Sequence, residues 1–493
     1  MKRLLTLMVA VIATAVSAAT YPTDDQAIVH VLGRTGFGPR PGDVERVRAL
    51  GIQRYLDEQL RPERINDAPI TARLAGLTTI GLSSRQIAEQ YEIPQLEARR
   101  QRKQEAKDGD PSTGLGAGPA NDSKMPPDPS QVRANTVMVE LSAQKLLRAV
   151  YSERQLQEVL TDFWFNHFNV DARKGADRFL LTEYERDTIR PHVLGRFRDL
   201  LGATAKSPAM LFYLDNWMSA DPDGPHLDGR TPRAVRGRLG GVPMPSPLRP
   251  QPQGRKAPKG LNENYGRELM ELHTLGVDGG YTQKDVTEVA RAFTGWTIDN
   301  PRRGAGFRFE PRMHDAGGKV VLGHVIKAGG GESDGERVLD ILAAHPSTAR
   351  FIATKLARRF VGDTPPPALV DRAAARFRAT NGDLRDVTRA ILTSPEFLAP
   401  GSYRTKVKTP FEFVVSALRS TVADVGDAKP IVRQLQQLGM PLYMCQPPTG
   451  YKDTADAWMN TGALISRMNY ASTLARGDQD LALTLGSPEF QKR

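Results

Sequence analysis

Residues 261–276 read LNENYGRELMELHTLG. Tyr265, Leu269, Leu272 and Gly276 recur at helical spacing and predict one packed apolar stripe. Asn262 or Asn264 is placed to cap the first exposed amides, and Gly276 follows the last apolar position, where helices stop. A second face carries Asn264, Glu268 and Glu271 at i, i+4 and i+7, so two carboxylates one turn apart share a surface. They repel unless a cation, a shared proton or solvent lies between them. His273, two residues past Glu271, points away from that face on a straight helix. The spacing is neither the HExxH of metalloproteases nor the ExxH of di-iron bundles.

The same helical period governs the sequence on both sides. Expected helices cover residues 43–60, interrupted by Gly51, then 131–150, 153–168, 178–189, 195–204 and 208–214. After 261–275, Thr282 caps a helix expected to reach Trp296, and Ser333 with Glu336 has capping-box spacing ahead of 336–344. Further helices are expected at 346–360, 368–379, 384–393, 410–422, 430–438 and 455–476. One β-hairpin is expected where Phe307 and Phe309 alternate with polar residues and the turn 315–318 leads to Val320 and Leu322. The fold class is therefore mainly α, a multi-helix globular protein with one small hairpin.

Two stretches break this pattern. Residues 109–130 are rich in Gly, Pro, Asp and Ser, and residues 219–260 combine abundant Pro and Gly with eight Arg/Lys against three Asp, a balance of +5. Such compositions cannot bury enough apolar surface to order themselves, so both are expected to be disordered inserts. Residues 21–475 then form one helical region, divisible at the second insert into 21–218 and 261–475.

Residues 1–20, MKRLLTLMVAVIATAVSAAT, have the order of a secretory signal: Lys2 and Arg3, an apolar run, and Val16-Ser17-Ala18 as a cleavage site that ends the signal at residue 18. No later segment is apolar enough to cross a bilayer. A soluble periplasmic or secreted protein is expected. With Cys445 as its only cysteine, it relies on a packed core rather than disulfides, and that thiol is expected to be buried and inert. The formal charge of +11 drops to +9 without Lys2 and Arg3. The basic 219–260 segment suits anionic lipid or acidic polysaccharide. Nucleic acid is disfavoured, because no platform of interleaved aromatic and basic residues is evident.

Several polar residues accompany apolar helical runs. In residues 161–169, TDFWFNHFN, His167 stands among four aromatic residues, either as a core histidine or as a group with a perturbed pKa. His192 follows Pro191 at a helix junction, near Glu183, Glu185 and Arg190. Glu268, Glu271, His167 and His192 are the candidate catalytic residues, and Glu268, Glu271 and His167 are the candidate ligands of a divalent metal. Asp285 and Glu288 have Arg291 within reach and read as salt bridges. There is no nucleophile elbow, Walker loop or Cys/His zinc spacing.

The stretches HVLGRTGFGP at 30–39, FWFNHFN at 163–169, SPAMLFYL at 207–214 and above all NENYGRELMELHTLGVDGGYTQKDVTEVARAFTGW at 262–296 resemble the bacterial family known as domain of unknown function 1800. Residues 189–201, 314–323, 345–360 and 458–467 are similar to it as well. The resemblance spans nearly the whole chain after the signal. It implies an exported, mostly helical protein without an assigned activity, and a sulfatase-like exported protein as a partner. The long basic 219–260 insert is a departure from the family pattern.

Two readings follow. In one, the protein is a metal-assisted or acid–base hydrolase of polysaccharide or another envelope polymer, with Glu268 and Glu271 as ligands or acid and base. In the other it is a helical scaffold or partner subunit whose Glu/Arg/His network is structural. The scaffold reading expects Glu268 and Glu271 to be paired with arginines, Arg190 or Arg267 among them.

Overall fold

The computed structural model describes residues 24–108, 128–224, 260–304 and 306–493. The signal-like start lies outside the described residues, as do most of the two inserts. Pro129 and Ser130, read as the end of the first insert, instead open the helix Pro129–Tyr151, with the Asp128 carboxylate capping Ser130 N at 2.9 Å.

Helices dominate, and their ends follow local chemistry. Asp24 caps Asp25–Thr35 through Ala27 N at 2.9 Å, and Gly51, at φ 84°, separates Asp43–Leu50 from Ile52–Gln59. Thr282 and Asp285 form a reciprocal capping box at the start of Gln283–Ala292, and Thr409 with Glu412 does the same for Pro410–Ser420. The helix Glu332–Ala344 starts one turn earlier than expected. Gly331 takes a positive φ of 62° and lets the chain enter the helix directly, while Ser333 bonds back to Gly330 O at 2.8 Å instead of capping.

The β structure is two small antiparallel pairs with partners other than those expected. β1 (Trp296–Ile298) pairs with β2 (Phe307–Phe309), and β3 (Lys319–Val321) pairs with β4 (His324–Ile326). Phe307 and Phe309 therefore face back toward Trp296 rather than forward to Val320. The tight turn of the second pair is Leu322-Gly323, both at positive φ.

One apolar core runs from Ala27 to Leu485, with Trp164, Phe197, Phe293, Trp296 and Phe360 fully buried in it. A satellite of Ile87, Ala134, Val137 and Phe179 lies apart. The candidate helix, Glu263–Met270, packs on Gln283–Ala292 at Gly266, where a Cβ would stand 2.8 Å from Val286 O. Helix Pro346–Phe360 lies against the end of the same segment and carries Phe351 and Lys355 to it. Among the described residues no helix is long and apolar enough to cross a membrane.

Candidate functional site

The helix Glu263–Met270 is capped by Asn262, whose side-chain oxygen accepts from Tyr265 N at 3.1 Å, and then widens into a π turn, Glu271–Leu275, that ends at Gly276 with φ 83°. A π turn advances each residue through a smaller angle than an α turn, so positions after Glu271 lag behind the straight-helix expectation. Leu272 is accordingly only half-buried, while His273 turns fully inward, with Thr274 Oγ1 donating to Leu269 O at 2.8 Å. Tyr265 and Leu269 form the packed stripe as expected.

Glu268 and Glu271 are both half-buried. Glu271 accepts a hydrogen bond from the Tyr281 hydroxyl at 2.7 Å. Burial and that bond push the Tyr281 phenol up to about 12. No hydrogen bond or ion pair to Glu268 is found among the described residues. Burial first, and the neighbouring Glu271 charge second, raise its carboxyl above the ordinary range, with Arg267 opposing them. The two arginines considered as partners are engaged elsewhere. Arg190 binds Glu158 at 2.6 Å and Glu185 at 3.5 Å, and Arg267 donates to Gln283 at 2.5 Å. One carboxyl is thus inclined to hold a proton, while its neighbour is an oriented hydrogen-bond acceptor.

His167 arrives from the end of the helix Gln155–His167 and meets the π turn from the other side. Its Nε2 lies 3.1 Å from the His273 carbonyl, which can only accept, so Nε2 carries the proton and Nδ1 is the acceptor. Nδ1 accepts a hydrogen bond from Lys355 Nζ at 2.8 Å. Both histidines are buried, with ring centroids 6.3 Å apart and Phe168 packed 5.1 Å from His273. Burial and the Lys355 charge hold His167 far below its ordinary value and lower His273 to about 3. Burial lowers Lys355 itself to about 8.

Both ring nitrogens of His167 are therefore occupied. Among the described residues, no three His, Cys, Asp or Glu side chains are placed to hold a metal ion, so the set Glu268, Glu271 and His167 is not assembled as ligands. His192 ends the 3-10 turn Arg190–His192 and donates through Nδ1 to Thr188 O at 2.8 Å. No hydrogen bond or ion pair among the described residues joins it to His167, Glu268 or Glu271. Asp285 caps its own helix through Thr282, while Glu288 binds Arg291 at 2.9 Å, which also holds Asp315 at 2.7 Å. Cys445 is buried, and burial with Asp171 nearby pushes its thiol up to about 11.

Tyr281 and Lys355 were not singled out from sequence. Tyr281 follows two glycines in GVDGGYT, and Lys355 lies in an ordinary amphipathic helix, so neither carried a local signal. The asparagines of FWFNHFN were equally silent. Asn166 exchanges two 2.7 Å hydrogen bonds with the Tyr451 backbone, and Asn169 Nδ2 donates to the carbonyls of Cys445 and Pro447, each at 2.9 Å. They tie the motif helix to the loop 440–452.

Compared with known proteins, the chain matches no curated protein and no solved structure. The family model described as "Protein of unknown function (DUF1800)" matches residues 30–492, and the chain belongs to that family.

Proposed function

We propose that this protein is an exported hydrolase working by general acid–base chemistry on a polysaccharide or another envelope polymer. Glu268 is the proton donor and Glu271 the carboxylate that serves as base or stabilises developing positive charge. The observation that carries the reading is the inequality of the two carboxyls: Glu268 is half-buried, without a hydrogen-bond or ion-pair partner among the described residues and shifted toward its protonated form, while Glu271 is oriented by Tyr281. Pairs of titratable groups whose environments push their pKa values apart are the usual basis of acid and base assignments. A structural network would place cations on these carboxylates, and Arg190 and Arg267 bind elsewhere. The acid–base branch is favoured over the metal-assisted one because His167 spends both nitrogens on His273 and Lys355, where it positions the π turn. The signal-like start and the basic 219–260 segment favour an acidic envelope polymer as substrate.

The test is release of reducing ends from a panel of acidic and neutral envelope polysaccharides by wild type, Glu268→Gln, Glu271→Gln and Tyr281→Phe, with melting temperatures measured in parallel. Loss of about 100-fold or more in Glu268→Gln at unchanged melting temperature is expected, since a general acid contributes about 10²–10⁴-fold. An activity that survives Glu268→Gln undiminished, or variants that lose only stability, would overturn the assignment.

A further inference from the structure

A cavity of about 490 Å³ opens between the helix Asp25–Thr35, the helix Pro410–Ser420 and the segment 484–493. It shares no lining residue with the Glu268 site. Its rim carries both signs of charge, with exposed Arg404 and Lys492 as well as Asp25 and Glu489. Its floor does not. His30, Lys408, Ser416 and Arg493 are buried there, and the charged side chains among them are both cations.

Behind the floor the imbalance deepens. Arg34, Arg359, Arg467, Arg493 and Lys408 are all buried. Among the described residues the nearest anion is Glu412, paired with Arg359 and, at 3.0 Å, with Arg493; Asp453 lies 4.0 Å from Arg493. Among the described residues Arg493 Nε and Nη1, and Arg34 Nε and Nη1, have no hydrogen-bond partner, and these atoms are closed off from the cavity. Unpaired buried charge is costly, and an anion held at the cavity floor would lower that cost through space, without touching these atoms.

The remaining lining has a chemistry of its own. His30 Nε2 lies 2.8 Å from the Phe397 carbonyl and must donate to it, while Nδ1, without a partner among the described residues, is closed off from the cavity, so the ring offers only its edge to the floor. Burial and Arg34 lower this imidazole to about 3, which keeps it neutral. Ser416 accepts from Lys408 Nζ at 2.7 Å, and Ser420 and Ser487 add further hydroxyls. Two aromatic faces close the sides: Tyr403, stacked on His30 at 4.6 Å, and Phe490, whose ring centroid is 3.8 Å from Lys408 Nζ. The volume falls in the range of small-molecule sites.

We infer that this cavity binds a small anionic carbohydrate, a single sugar ring bearing a carboxylate or a phosphate ester. The acid lies at Lys408, with the Arg493 charge behind it, the ring hydroxyls on the serines, and the ring faces on Tyr403 and Phe490.

Lys408 supplies a further handle on the same site. Burial lowers its ammonium to about 7 despite Glu412, with Arg493, Arg467 and Arg404 acting in the same direction as burial. An anion favours its charged form, so binding takes up a proton and tightens as pH falls from about 8 to about 6. His30 stays neutral across that range.

The experiment is calorimetric titration of the full chain with sodium glucuronate, glucose 6-phosphate, glucose and inorganic phosphate. It compares wild type with Lys408→Met and with Gly33→Leu, whose side chain enters the cavity from a position where a Cβ meets only Arg493 Cβ at 3.6 Å. Binding of glucuronate or glucose 6-phosphate, with glucose and inorganic phosphate at least about tenfold weaker, is expected, as is a loss of about tenfold or more in both variants. Which acid binds tighter identifies the carboxylate or the phosphate ester as the recognised group. Gly33→Leu guards against misfolding, since it leaves every ion pair of the floor in place and its melting temperature is expected to match wild type. Absence of binding by both anionic sugars at about 10 mM, equal binding of inorganic phosphate, or undiminished binding in Gly33→Leu would overturn the inference.

Discussion

Glu412 offers the sharpest test of how the interior is held together. Its carboxylate is buried, accepts from Thr409 N at 2.9 Å in the capping box, and meets Arg359 and Arg493. Burial alone would raise its pKa, but the two guanidiniums and the Thr409 amide outweigh burial and lower it from 4.5 to about 2. A folded-state value below the unfolded one means stability that is present above pH 4.5 and lost as pH falls toward 2. Lowering the carboxyl from 4.5 to about 2 corresponds to about 3 kcal/mol of stability. Glu412→Gln keeps an acceptor for Thr409 but leaves Arg359 and Arg493 without their shared counter-charge. Breaking a buried pair from one side costs about 3–5 kcal/mol, which is the loss expected at pH 7. Urea unfolding of both proteins between pH 7 and pH 2.5 measures it, and the gap between the curves should close by about 3 kcal/mol below pH 4.5. A variant within about 0.5 kcal/mol of wild type at pH 7, or a gap that does not change with pH, would refute the reasoning.

Two further outcomes follow from geometry described above. Gly450 has φ +73°, and a Cβ there would stand 2.2 Å from Asn166 O, so Gly450→Ala should cost about 2 kcal/mol or more and loosen the loop from the motif helix; chemical denaturation and amide exchange of Tyr451 would show it. In Lys355→Met the cation that helps to hold His167 and His273 neutral is gone, so the His273 titration should move up from about 3 toward its ordinary value without reaching it, because burial is the larger cause. Imidazole NMR across pH 3–7 reads this directly, and an unmoved titration would show that Lys355 contributes nothing to it.

The helical fold was legible because it rests on local signals. Asn262 and Gly276 mark the ends of the candidate segment, and the helix Pro346–Phe360 lies where its apolar spacing predicts. Strand partners were not legible. The alternation of Phe307 and Phe309 announces a strand, but nothing local says that it pairs with Trp296–Ile298, a stretch whose aromatic character continued the preceding helical pattern. The site divides in the same way. The shared face of Glu268 and Glu271 follows from spacing alone, whereas the selection of Tyr281 for Glu271 and of Lys355 for His167 depends on contacts between elements. The inward turn of His273 was hidden for another reason, since residue spacing assumes a uniform helix and the π turn breaks that assumption.

That wide turn has a consequence for how the protein responds to changes in chain length. A π turn holds one residue more than an α-helix needs over the same rise, so Glu271–Leu275 is an insertion the helix has absorbed without breaking. Deleting Leu272 would remove the extra residue and let the helix run on regularly to Gly276, keeping the chain beyond it in place while rotating His273 one position back about the helix axis. His273 would leave Phe168, and the carbonyl that holds His167 would turn elsewhere. No single side-chain substitution reproduces that rotation. A library of in-frame single-residue deletions through 271–275 would therefore separate the orientation of this segment from its composition, a distinction that point mutagenesis leaves blurred.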